Sequence, residues 1–318
     1  MVSLPPLHSS PPAHQLLPGT PEVATHHDLP SSGGIISDRV KGTLFAIFGV
    51  LALTPDSLLL RKVNGVPDFT VIFYRYAIFG VASLVGISVT SRGDIVGKFK
   101  GLGRWGVLAG LTLGITNLFI TLAFQQTAAA NVLVIQASNP IISALLSRLL
   151  LGEVLPLRTM ICAVVSMGAI VLIFAGDSGS GGSNGLFFAM VSATSFGTYF
   201  VILRYVTVYL KQEVDMLPCN VIAGTFVSIV SLCTSPDLSA VDGIDVIYFL
   251  LMGIGVLCTA FTMLTWAPEY ISATEVSLYT LIETILGPIW VWLGGYEAPP
   301  VFAVYGGAAL IVALAVHR

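Results

Sequence analysis

The sequence predicts an all-α integral membrane fold of ten transmembrane helices arranged as an inverted 5+5 repeat. Three observations carry that reading. Hydrophobic residues fill 55% of the 318 positions and charged residues only 10%, where a soluble domain carries roughly 25% charge. The chain divides into ten apolar runs, each close to the roughly 20 residues that a helix needs to cross a bilayer core of about 30 Å. The second half also repeats features of the first at a nearly constant displacement.

The same composition excludes several function classes. A net charge of -3 from 14 basic and 17 acidic side chains builds no nucleic-acid surface. Cys162, Cys219, Cys233 and Cys258 fall in apolar runs with no CxxC and no neighbouring histidine, so they read as packing residues rather than metal ligands. The histidines, His8, His14, His26, His27 and His317, all lie at the chain ends, which leaves buried titration to carboxylates. No HExxH, GxSxG or GxxxxGK[ST] occurs, so neither an intramembrane enzyme nor an ATP-driven pump is expected, and no cofactor is called for.

Residues 1–38 hold seven prolines and no lysine or arginine, the composition of a disordered tail. An organellar transit peptide would be rich in arginine and poor in acid, whereas this stretch has Glu22, Asp28 and Asp38. The first apolar run follows Arg39 and Lys41 without a small-residue cleavage pattern, so it should remain as a helix. The spans are expected at 41–60 (span one), 67–90 (two), 104–124 (three), 128–151 (four), 157–175 (five), 184–203 (six), 214–234 (seven), 243–265 (eight), 273–294 (nine) and 298–316 (ten). Connections as short as Gln125 to Thr127 leave no room for a soluble domain, so function belongs inside the bundle.

Basic residues set the orientation. With the N-terminus inside, eleven fall at inner ends (Arg39, Lys41, Arg92, Lys98, Lys100, Arg104, Arg148, Arg158, Arg204, Lys211 and Arg318) and two, Arg61 and Lys62, at outer ends. Both termini are therefore expected in the cytoplasm; the sequence does not indicate which membrane.

A displacement of 143 pairs Gly42 with Gly185, Phe45 with Phe188, Ala46 with Ala189, Leu60 with Leu203 and Arg61 with Arg204. A displacement of 144 pairs Thr121 with Thr265, Val132 with Val276, Glu153 with Glu297 and Pro156 with Pro300. Glu, Pro and Arg are rare here, so their recurrence at helix ends weighs more than the apolar matches. Five helices per half is an odd number, so the second half must be inverted, as in many secondary carriers. The expected division is a repeat over 39–175, a Gly/Ser-rich linker over 176–184 and a second repeat over 185–318.

Asn139-Pro140 followed by Leu151-Gly152-Glu153, together with Phe73-Tyr74-Arg75-Tyr76 in span two, resembles the EamA family of the drug/metabolite transporter superfamily. The second half departs from that pattern: Thr284 follows Glu283 where the family often has proline, and Gly295-Tyr296-Glu297 stands in place of LGE. The resemblance implies a ten-helix carrier with cytoplasmic termini and a central cavity lined by both halves. It names no substrate, since members of the superfamily carry amino acids, drugs, sugars, nucleotide sugars or phosphates.

Ionisable groups inside the hydrocarbon cost roughly 2.5–3.5 kcal/mol each on insertion scales, so each calls for a reason. Glu283 lies ten residues into span nine, about 15 Å along its axis and thus near the midplane. Asn139 is its counterpart at 144, and Gln136 and Asn117 lie at similar depth. Pro140 and Pro288 are each expected to remove a helical hydrogen bond. Asp56 and Arg75 are placed to form a salt bridge between spans one and two, either a structural pair or an outer gate. Tyr279, with Tyr74, Tyr76, Tyr199, Trp266 and Trp290, offers ring surface for a cavity, although packing serves each one equally. Glu153 and Glu297 read as helix caps. Gly106, Gly110 and Gly114 permit close helix approach, within the bundle by preference or to a second copy in a homodimer.

The functional expectation is a secondary carrier moving a small organic metabolite by alternating access, with proton coupling through Glu283 as its working hypothesis. The alternatives are a nucleotide-sugar or phosphate-ester exchanger and a non-transporting membrane scaffold. Arg75 as the one clearly embedded cation argues for small or less charged cargo.

Overall fold

A computed structural model describes residues 37–63, 65–90, 94–152, 161, 168, 183–210, 214–234 and 236–296. The tail to residue 36, most of the linker, span five apart from residues 161 and 168, span ten, Glu153, Glu297 and Cys162 lie outside the described residues. Seven described helices are long and apolar enough to cross a membrane: Asp38–Lys62, Asp68–Thr90, Gly103–Gln126, Ala129–Leu151, Asn184–Tyr209, Gly243–Tyr270 and Ala273–Leu293. A shorter apolar helix, Pro218–Cys233, falls on span seven but starts four residues later than expected, because Pro218 suits the first turn of a helix. These eight helices coincide with spans one to four and six to nine, and the described residues form an all-α bundle.

Three of the spans are broken. In span one, Asp38–Leu53 gives way to Asp56–Lys62 at Thr54 and Pro55, where proline lacks the donor that would continue the ladder. Span four divides into Ala129–Gln136 and Asn139–Leu146 before it continues through a wider turn over Ser147–Leu151. At the break the Ser138 hydroxyl donates to the Ile135 carbonyl at 2.7 Å. Span nine divides into Ala273–Tyr279 and Leu281–Leu293, and there the Thr280 hydroxyl donates to the Ser277 carbonyl at 2.7 Å. Hydroxyls that bond back onto the chain compete with the helical ladder and accompany both breaks. Span four breaks where Pro140 is expected to break it: Ala129–Gln136 ends four residues before the proline, at the carbonyl its missing N–H would have bonded, and Pro140 stands in the first turn of the segment that follows, whereas Pro288 lies inside its helix.

Bonds between helix ends sort those ends onto two faces. On the first, Arg39 pairs with Glu275 at 2.8 Å, Lys98 pairs with Asp215 at 2.5 Å, and Arg204 donates to the Pro268 carbonyl at 2.9 Å. On the second, Arg61 donates to the Thr127 carbonyl at 3.0 Å, Thr70 to the Asp237 carbonyl at 3.1 Å and Tyr74 to the Leu238 carbonyl at 3.2 Å. Span one starts on the first face; span six starts on the second, where Gly185 packs against Gln126 and Thr127.

Packing between helices recurs in pairs. Span one lies against span eight as span three lies against span six, and span two meets span eight as span seven meets span three. Individual contacts repeat in the same way. Gly42 packs on Tyr270 and Ile271; its counterpart Gly185 packs on Gln126 and Thr127, which are the counterparts of Tyr270 and Ile271 in the first half. A Cβ on Gly110 would come within 2.8 Å of the Cys219 carbonyl oxygen and of Ile222. A Cβ on Gly253 would come within 2.6 Å of Ile78 and 3.1 Å of the Arg75 carbonyl oxygen, again the same contact displaced. Spans two and seven cross where Gly80 meets Gly224, a residue and its own counterpart. Small residues there let the backbones touch. Gly110 and Gly114 likewise seat span three on Ile222 and Phe226 of span seven, while Gly106 faces Leu102 beside it in the chain.

Candidate functional site

The two broken helices, spans four and nine, cross antiparallel. The Ser143 and Ser277 hydroxyls meet at 2.6 Å on one side of the crossing. On the other side Gly287 lies against Leu133, and the Thr284 hydroxyl donates to the Leu133 carbonyl at 3.2 Å. Asn139 and Glu283 follow the two breaks by one and three residues, so the bends bring both toward the crossing. Asn139 is buried, and its amide donates to Gln136 Oε1 at 3.4 Å while its own Oδ1 finds no partner among the described residues. Gln136 in turn donates to the Ser192 hydroxyl at 2.9 Å, and Ser192 donates to the Thr116 carbonyl at 3.1 Å.

Glu283 is half-buried, and its carboxylate makes no hydrogen bond or ion pair with a described side chain. It lies within electrostatic range of both Asp56 and Arg75. Those two form a salt bridge at 2.5 Å with side chains only 5% and 1% exposed. The break at Pro55 starts a new helix at Asp56 and aims that carboxylate at span two. Arg75 also lies over the Tyr76 ring, 5.1 Å from its centroid. Near the second face, Thr70 and Tyr74 tether the Arg75 helix to the loop after span seven, where the Ser239 hydroxyl and N–H hold the Asp237 carboxyl below the usual carboxylate range.

The ion pair is incompletely satisfied. Asp56 Oδ1, Arg75 Nε and Arg75 Nη1 have no hydrogen-bond partner among the described residues. Each such buried polar atom costs about 1–3 kcal/mol, an outlay that a binding site recovers when a ligand or water arrives. Tyr76 extends the polar band: its hydroxyl donates to the Asn117 carbonyl at 2.8 Å and meets the Thr121 hydroxyl at 2.9 Å. Asn117 is buried, and its Nδ2 is likewise unpartnered among the described residues. A continuous polar layer thus runs from Asp56 and Arg75 through Asn117 to Ser192, Gln136 and Asn139, and Glu283 lies within electrostatic range of the pair. Sequence reasoning treats Glu283 with Asn139 and Asp56 with Arg75 as two clusters; the structure brings them into one environment.

Tyr279 stands one turn before Glu283 and is half-buried. The other rings divide between packing and surface. Tyr199 is fully buried, Tyr74 stacks on Phe249 at 5.5 Å, Trp266 packs on Phe45, and Trp290 donates to the Thr54 hydroxyl at 3.1 Å beside the break in span one. Ser192 and Thr116 join the layer although nothing in the sequence singles them out. A serine on an apolar helix carries little signal by itself, although Ser192 stands in the second half where Gly49 stands in the first, a position at the same helix contact.

Comparison with known proteins agrees with this architecture. The EamA-like transporter family matches residues 40–175. A solved structure described as "Crystal structure of protein" is similar over 87% of this chain and 96% of its own, with a TM-score of 0.68 at 18% identity, a likeness of fold. No curated protein matches the chain. The chain is a multi-pass integral membrane protein whose residues 40–175 match the EamA-like transporter family.

Proposed function

We propose that this protein is a secondary carrier that moves a small organic solute by alternating access, built from two inverted five-helix repeats over 39–175 and 185–318. Contacts that recur between counterpart positions of the two halves, and the opposite starting faces of spans one and six, support the duplication and its inversion. With spans five and ten included, the count is ten and both termini face the cytoplasm, the side on which Arg39, Lys98 and Arg204 gather.

The observation that carries the functional reading is Glu283. It is a midspan carboxylate without a bonded partner among the described residues, set at the crossing of two discontinuous helices and in the field of a buried ion pair. Discontinuous helices at the midplane are the places where carriers hold cargo and coupling ions. Glu283, Asp56 and Arg75 sum to one negative charge, which favours a proton or a cationic or neutral solute over a phosphate ester. Asn139, Gln136, Asn117 and Tyr279 line the same site, Glu283 takes the coupling proton, and Gly110 and Gly114 serve packing within the chain. Counterflow into proteoliposomes preloaded with a mixed metabolite panel tests the reading. Saturable accumulation of one solute class is expected; absence of exchange of any solute by folded protein would favour a scaffold.

A further inference from the structure

Near the first face lies a polar cluster that the site does not use. The Tyr199 hydroxyl meets the Thr265 hydroxyl at 2.8 Å and Cys219 Sγ at 3.7 Å, and Thr265 donates to Asn220 Oδ1 at 3.3 Å. All four residues are buried in the apolar core. At the displacement of 143 Tyr199 is the counterpart of Asp56, and at 144 Cys219, Asn220 and Thr265 are the counterparts of Arg75, Tyr76 and Thr121. The Tyr199–Cys219 contact therefore occupies the place of the Asp56–Arg75 bridge. Thr265 with Asn220 occupies the place of Thr121 with Tyr76. Even the backbone agrees: Thr121 donates to the Asn117 carbonyl and Thr265 to the Phe261 carbonyl, each four residues back.

Asp56 and Arg75 close the bundle toward the second face, where span one ends and span two starts. Tyr199, Cys219 and Thr265 close it toward the first face, where spans six and eight end and span seven starts. We infer that Tyr199, Cys219, Asn220 and Thr265 form the second gate of the carrier, the symmetry-related counterpart of the Asp56–Arg75 bridge, and that the two gates open in alternation. The inference rests on the inverted-repeat carrier reading above. It adds an inequality between the gates: one is held by an ion pair, the other by neutral hydroxyl and thiol contacts. The charged gate answers to protons and to charged cargo, whereas the contacts among Tyr199, Cys219, Asn220 and Thr265 involve no ion pair, the Lys98–Asp215 and Arg39–Glu275 pairs lying at the helix ends of the first face. Both sets of contacts are made in this structure and Cys219 is fully buried, so it becomes reachable only when its own gate opens.

The test reads Cys219 directly. In protein with Cys162, Cys233 and Cys258 replaced by alanine, the rate of Cys219 modification by membrane-permeant N-ethylmaleimide is measured in proteoliposomes. It is then measured again with the pair neutralised as Asp56→Asn with Arg75→Gln. Loosening the charged gate withdraws population from the state in which the neutral gate is open, so a fall of about fivefold is expected. An unchanged rate would overturn the inference, and because labelling needs no cargo, that result is separate from any failure of transport. A second arm uses Tyr199→Cys opposite native Cys219. Bridging the two thiols with a bis-methanethiosulfonate whose span replaces the lost ring is expected to stop exchange and a reductant to restore it, while a cross-linked protein that still exchanges would also overturn the inference. Absence of exchange by the reduced protein and by the unaltered chain would instead count against the carrier reading.

Discussion

Arg75 reaches Asp56 through Nη2 alone, at 2.5 Å, and leaves Nε and Nη1 without partners among the described residues, in a side chain that is 1% exposed. A pair made only for stability would be expected to use more of its donors. Removing one partner strands the other charge in the core, a loss of about 3–5 kcal/mol. Asp56→Ala or Arg75→Ala is therefore expected to lower the thermal unfolding midpoint in detergent sharply. Asp56→Asn combined with Arg75→Gln is expected to recover most of that stability while exchange stays impaired. A double variant as active as the unaltered chain would reduce the pair to packing.

The crossing of spans two and seven gives an asymmetric prediction. A Cβ on Gly224 would lie 2.7 to 2.9 Å from backbone atoms of Gly80 and Tyr76, whereas a Cβ on Gly80 meets nothing closer than 3.5 Å. Backbone atoms have no rotamer through which to yield, and overpacking of this kind costs about 1–3 kcal/mol or more. Gly224→Ala should reduce folded yield and thermal stability; Gly80→Ala should leave both near their original values. Equal effects of the two substitutions would mean that the helices do not cross there.

Topology can be read with single cysteines in a cysteine-free background. Ser239 is exposed in the loop after span seven, and Lys100 is exposed at the end of the short helix Ile95–Gly101. Ser239→Cys is expected to react with an impermeant maleimide applied to the non-cytoplasmic side, and Lys100→Cys only after permeabilisation. The reverse pattern would invert the orientation drawn from the basic residues.

The bridge between Lys98 and Asp215 ties the short helix Ile95–Gly101 to the segment before span seven, with both side chains about a quarter exposed. Pairs of that exposure contribute roughly 0–1 kcal/mol. Exchanging the charges, Lys98→Asp with Asp215→Lys, keeps the pair but loses the bond that Asp215 Oδ1 accepts from the Leu217 N–H at 2.9 Å, so a stability loss of about 1 kcal/mol is expected with exchange close to unchanged. A large loss of either in the exchanged pair would give this link a role beyond tethering.

Much of the bundle is legible in the chain because the bilayer makes one demand everywhere: about 20 apolar residues per crossing with every backbone group bonded internally. That demand places the eight described helices. The recurrence of Gly42 at Gly185 and Thr121 at Thr265 is equally visible, because small and hydroxyl side chains at helix contacts are hard to replace. The break at Thr280 is not, since a hydroxyl on a helix points to solvent, to a neighbour or back to its own chain with no change in pattern. The break in span four is legible through Pro140, because the first segment ends four residues before it. The union of Asp56 and Arg75 with Glu283 is hidden for a different reason. It depends on how span nine crosses span four, a three-dimensional relation that periodicity along one helix does not contain. Tyr199 and Cys219 read as core residues until their positions are compared with Asp56 and Arg75.

The most direct measurement is the pH dependence of counterflow by the unaltered chain and by Glu283→Gln, each reconstituted in vesicles with and without an imposed proton gradient. If Glu283 is the group that carries the proton at the crossing, the unaltered chain accumulates its solute along the gradient. The Gln variant, which keeps the shape but not the titration, then exchanges without regard to pH. A Glu283→Gln protein whose uptake still follows the proton gradient would contradict the account.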